Sequence, residues 1–234
     1  MSSAYNRGFT ALYTPPMKSM GGCTSISFLK QCEGYSESRM GNVFAAKRLF
    51  EKCVKQEYVD CIRKNYQDSI LLPVLSHDNA LPLAFAMHIG LPVWPNVRNI
   101  QEKSRKQMNA MQRILNSPTF EGYVQPNRSY VLVDDIVTQG GTIMALRKFV
   151  TDSGGHVDAA IAIAYAKFGK TIIPTIENID KFSARFGGCI SDLFRELKIP
   201  FRYDCLSNSQ ILYLLRFSSI EKLFIKAVEA MNEN

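Results

Sequence analysis

Residues 131–142, VLVDDIVTQGGT, set two adjacent carboxylates, Asp134 and Asp135, just ahead of a turn made of Thr138, Gln139, Gly140, Gly141 and Thr142. Successive backbone N–H groups in a glycine-rich turn that opens a helix bind anions, because each N–H is partly positive and the helix dipole adds to it. Carboxylates beside such a turn accept hydrogen bonds from a sugar diol, or hold magnesium through its water shell. Anion, diol and hydrated divalent ion together describe a phosphorylated ribose. A lone Asp-Asp or Gly-Gly pair would mark only a strand end or a turn; the assembled string carries the chemical reading.

Elements must place these groups. The apolar run Tyr130 to Val133 suits a strand buried on both faces of a parallel sheet, and such sheets bind ligands at their carboxyl ends. Ile143, Leu146, Phe149 and Val150 recur at helical spacing after the turn, and Ser153-Gly154-Gly155 ends that helix. Val157 to Ala166 reads as another buried strand. Ser69 to Leu75 reads as a third, with Pro73 marking an edge or a bend. One helix is expected across residues 41–64, and an apolar one from Leu81 to Ile89, stopped by Gly90. This order predicts an α/β fold, a mainly parallel sheet of about five strands flanked by helices.

Residues 1 to about 40 show no period and predict short strands and loops. Beyond residue 167 the pattern is mainly helical. Ser207-x-x-Gln210 and Ser218-x-x-Glu221 have capping-box spacing, and Ile220, Leu223, Phe224, Ala227, Val228 and Met231 form a stripe that docks on the core or on a second subunit.

Composition narrows the class. The 234 residues are 46% hydrophobic and 21% charged, which suits one compact enzyme-sized domain and argues against disorder. The net charge of +7 suits anionic substrates, and direct nucleic-acid contact is possible but not favoured by it. Six cysteines without a C-x-x-C pair, and three histidines mostly far from them, give no zinc signature and point to free thiols in a reducing cytoplasm. Neither a signal peptide nor a membrane-spanning run is visible.

The VLVDDIVTQGGT string resembles the phosphoribosyl-pyrophosphate (PRPP) motif of type I phosphoribosyltransferases: a hydrophobic strand, two acids and a T-x-G-x-T-like turn. Residues from about 70 to 166 are similar to the competence-associated branch. Asn79-x-Leu81-Pro82, Phe120-Glu121-Gly122 and the run from Asp204 to Ser209 are closer to an uncharacterised branch found with bacterial mobile DNA and defence clusters. The resemblance implies the type I fold, with an N-terminal hood at 1–40, a core at 41–170, and a C-terminal helical part of the same domain at 171–234. It implies that Asp134 and Asp135 hold the ribose and, through water, magnesium. Thr138, Gln139, Gly140, Gly141 and Thr142 would wrap the 5′-phosphate.

A pyrophosphate leaving group needs N–H donors or positive charge. The loop Ser76-His77-Asp78-Asn79 offers its backbone N–H groups, the side chains of Ser76 and Asn79, and His77 when protonated. Asp78 stands where many relatives carry Arg or Lys. The basic segment Lys103 to Lys106 offers Arg105, able to grip two phosphate oxygens, and Lys106 as a point charge; Arg113 is expected to anchor its far end. The implied activity is magnesium-dependent transfer of phosphoribose between PRPP and a nitrogenous base by a cytoplasmic homodimer, with Asp134, Asp135 and Arg105 as the catalytic set. No segment names the base. The alternatives are a catalytically silent PRPP or nucleotide sensor, suggested by Asp78, and an accessory protein in DNA uptake, mobile-element maintenance or phage defence.

Overall fold

The computed structural model describes residues 17–19, 23–101, 107–166, 171–187, 189–197 and 205–233. Its centre is a parallel sheet in the order β1 (Lys18–Ser19), β6 (His156–Tyr165), β5 (Ser129–Val137), β2 (Ile70–Pro73). Beyond β2 the described residues pair at isolated points, Leu71 with Val93 and Leu75 with Arg98, so among them the sheet has four strands where about five were expected. The Val74 amide donates to the Val133 carbonyl, so by alternation the neighbouring Pro73 sits on the outward side, where no N–H is needed. A separate antiparallel ribbon joins β3 (Val97–Asn99) to β4 (Phe120–Gly122).

Side-chain alternation along the two long strands divides the core. Val131, Val133, Ala159, Ile161 and Ile163 pack with apolar residues of α1 (Ile26–Gln31), α3 (Val43–Cys53), α4 (Gln56–Asn65) and α5 (Leu81–Ile89). Tyr130, Leu132, Val157, Ala160 and Ala162 pack on the other face. Their partners there come from α6 (Ala110–Leu115), α7 (Gly141–Asp152), α8 (Ile176–Phe186), α9 (Cys189–Glu196), α10 (Asn208–Leu214) and α11 (Ile220–Asn232). The fold is thus α/β, a parallel sheet flanked by helices.

Several expectations change in detail. The helix expected over 41–64 is two, because Val54 and Lys55 are extended; the break lets Phe50 and Cys53 of α3 and Val59 and Ile62 of α4 bury in the same core. Residues 23–40 are not strands and loops. They hold α1 and α2 (Tyr35–Arg39), helices too short for periodicity to reveal. The last helix is capped one residue later than expected, by Ser219, whose oxygen accepts from the Lys222 amide. Of its apolar stripe, Leu223 and Ala227 are buried in the core, while Met231 is exposed.

Candidate functional site

Strand β5 does not stop at the acids. Asp134 pairs with Ala162, and the strand runs on to Val137, so both carboxylates stand inside the sheet's carboxyl edge. A solvent-near strand end was expected, but Asp134 and Asp135 are only 8% and 6% exposed. Each Oδ1 accepts the next residue's amide, at 2.9 Å in both cases, an arrangement that fixes the rotamers. On the α2 side, Oδ2 of Asp135 lies 3.5 Å from the Tyr35 hydroxyl, which donates to it, and 3.9 Å from Arg39 Nε. Burial, then the charge of Asp135, pushes the Tyr35 phenol up to about 12, so it remains a donor at neutral pH.

The turn after β5 leads straight into α7. Gly140 is the N-cap at φ 79°, a left-handed conformation that glycine adopts without steric penalty, and no side chain caps the helix. The first turn of α7 therefore receives no side-chain acceptor from its cap, which leaves an anion-binding helix end. The turn rests on the C-terminal region. Ser207 Oγ donates to the Gln139 carbonyl, and a Cβ on Gly140 would meet Ile172 Cγ2 at 3.1 Å. Ser207 and Gln210 form the expected capping box, and both are buried.

These groups surround one cavity of about 690 Å³. Asp134, Asp135, Thr138, Gln139, Gly140, Gly141, Thr142, Ser76 and His77 all line it, together with Asp78. Asn79 does not. It is buried, and its Oδ1 accepts from the Leu81 amide two residues on, a local turn contact. Arg105 and Lys106 lie outside the described residues, so the structure gives no place to either.

The cavity also holds residues that sequence reasoning did not select: Lys30 from α1, and Tyr35 and Arg39 from α2. Arg113, expected to anchor the basic segment, does more. Its Nε donates to the Met108 carbonyl and its Nη1 to Thr138 Oγ1 at 3.2 Å, which places a cation at the turn after β5. No spacing could have shown the first three, since they lie about a hundred residues from the motif. The available signal was the density of Lys, Tyr and Arg in a segment without periodicity.

Among the described residues no three His, Cys, Asp or Glu side chains cluster. The protein offers a divalent ion two carboxylates, a set that suits magnesium retaining water and carried in with a phosphate.

No protein-family model matches the chain. It is 24% identical to protein TraN of Escherichia coli over 209 residues, covering 85% of this chain and 46% of TraN. It is 45% identical to an adenine phosphoribosyltransferase of Fervidobacterium nodosum over 40 residues, covering 17% of this chain and 24% of that one. The chain thus spans less than half the length of either curated relative. Among solved structures, an adenine phosphoribosyltransferase from Thermoanaerobacter pseudethanolicus aligns at 20% identity and a TM-score of 0.38, over 54% of this chain and 73% of that one.

Proposed function

We propose that the cavity binds PRPP, or a closely related phosphorylated ribose, and that the protein transfers phosphoribose to or from a nitrogenous base. The observation that carries this reading is one cavity lined by the Asp134-Asp135 pair, the uncapped turn 138–142 and the Ser76–Asp78 loop. Arg113 beside Thr138 adds positive charge where the 5′-phosphate would sit. The carboxylates would accept the ribose hydroxyls, their rotamers already set by the backbone amides. A base nitrogen would bond to the anomeric carbon as its bond to the pyrophosphate oxygen breaks. Rate enhancement would come from positioning and from charge at the leaving group, without a covalent intermediate on the protein. Magnesium, held through water by Asp134 and Asp135, would supply charge neutralisation for the departing pyrophosphate.

The test is calorimetric titration of PRPP with and without magnesium, followed by pyrophosphate release across a panel of nucleobases. Magnesium-dependent binding and base-dependent release are expected. No binding at concentrations that saturate ordinary phosphoribosyltransferases would overturn the reading. The exposed Asp78 favours a second reading, a sensor that binds without turnover; binding with no release for any base would favour it.

A further inference from the structure

The Ser76–Asp78 loop presents an acid at the end of the cavity assigned above to pyrophosphate, where an anion needs a cation. Among the described residues, the cation paired with that acid comes from a different part of the chain. Arg39, the last residue of α2, reaches between two carboxylates, with a guanidinium nitrogen 3.9 Å from Asp78 Oδ2 and Nε 3.9 Å from Asp135 Oδ2. Its backbone is tied to the same loop, for its carbonyl accepts the Ala80 amide at 2.8 Å.

Both separations exceed hydrogen-bonding range, so the carboxylates balance the charge without using the directional donors. Nε is buried and meets no hydrogen-bond acceptor among the described residues. An N–H in that position is unfavourable until an acceptor arrives, and a guanidinium fork matches two phosphate oxygens. The Asp78 side chain is 60% exposed, so water screens its hold on the arginine. Arg113 cannot substitute, because it bonds to Thr138 at the phosphate turn.

We infer that Arg39 is the diphosphate-binding cation of this site. Asp78 and Asp135 hold the guanidinium beside the cavity, and it turns its N–H donors to diphosphate oxygens when the ligand enters. This inference rests on the phosphorylated-ribose reading and adds the residue that reads the second phosphate group.

The experiment is calorimetric titration of inorganic pyrophosphate, and separately of ribose 5-phosphate, into the wild type, Arg39→Ala and Arg39→Lys, with thermal melting of each. Arg39→Ala should weaken pyrophosphate roughly ten- to a hundredfold and ribose 5-phosphate by less than about twofold. Arg39→Lys, which keeps charge and loses the fork, should fall between. Unchanged pyrophosphate affinity in Arg39→Ala, equal losses for both ligands, or no pyrophosphate binding by the wild type would each overturn the assignment. If Arg39→Ala does not melt cooperatively, the lysine variant decides: selective loss of pyrophosphate supports the assignment, and wild-type affinity rejects it. A wild type that binds pyrophosphate but not ribose 5-phosphate would remove the ribose reading while leaving the Arg39 comparison valid.

Discussion

Asp134 and Asp135 are buried at the carboxyl edge of the sheet, yet their burial is organised: one oxygen of each is already occupied by a neighbouring amide. An asparagine Oδ1 can accept the same bond, so Asp134→Asn and Asp135→Asn should retain the fold, within about 1 kcal/mol by chemical denaturation. Affinity for ribose 5-phosphate with magnesium should fall by roughly 1.5–3 kcal/mol for each charged hydrogen bond removed. Normal binding in both variants would refute the assignment of the ribose subsite. Tyr35 provides a pH signature. Its phenol is raised from 10 to about 12, so the folded state holds the proton more tightly than the unfolded state. Its contribution to stability is fully present below pH 10 and is lost as pH rises toward 12. Across that window the wild type should lose stability faster than Tyr35→Phe, measured as the difference in melting temperature. Parallel curves would show that the phenol's environment is not the one described.

At the scale of elements, the informative contact joins the turn between β5 and α7 to the start of α10. Gly140 adopts a left-handed backbone that other residues reach only with strain, and the space around it and Gly141 is filled by Ile172, Ser207 and Gln210. Gly140→Ala should therefore cost roughly 1–2 kcal/mol, from the left-handed backbone alone, and should weaken phosphate binding as well. Ser207→Ala removes the cap of α10 and the hydroxyl that holds the Gln139 carbonyl. About 1 kcal/mol of stability should be lost with the cap. The diagnostic result is reduced affinity for ribose 5-phosphate in a protein that still melts cooperatively, since Ser207 itself does not line the cavity. Unaltered affinity would mean that the turn keeps its shape without this support.

For the whole molecule, the core on one face of the sheet extends from Met17 to Ala230. Leu223, 2% exposed on α11, belongs to that core, and α11 packs on α6 and α9. Leu223→Ala should cost roughly 2–4 kcal/mol and leave a single melting transition. A separate low-temperature transition would show instead that the C-terminal helices fold as an independent unit. The net charge of +7 also has a local expression, because Lys30, Arg39 and Arg113 all line the cavity with the acid pair.

The motif strand, its turn, the following helix, β6 and α5 were legible because their signals are local: apolar runs, helical spacing and glycine at a helix end all act over a few residues. For the same reason the capping box at Ser207 and Gln210 could be read from spacing alone. That the acid pair and the turn share one cavity was legible too, since they are adjacent in the chain. Tertiary structure decided what surrounds them. It carried Arg39 and Tyr35 across about a hundred residues to Asp135 and set Ser207 under Gln139. Burial of the carboxylates likewise depended on β5 continuing alongside β6. No local pattern encodes such meetings, because they arise only when the two faces of one sheet bury the helices that carry these residues.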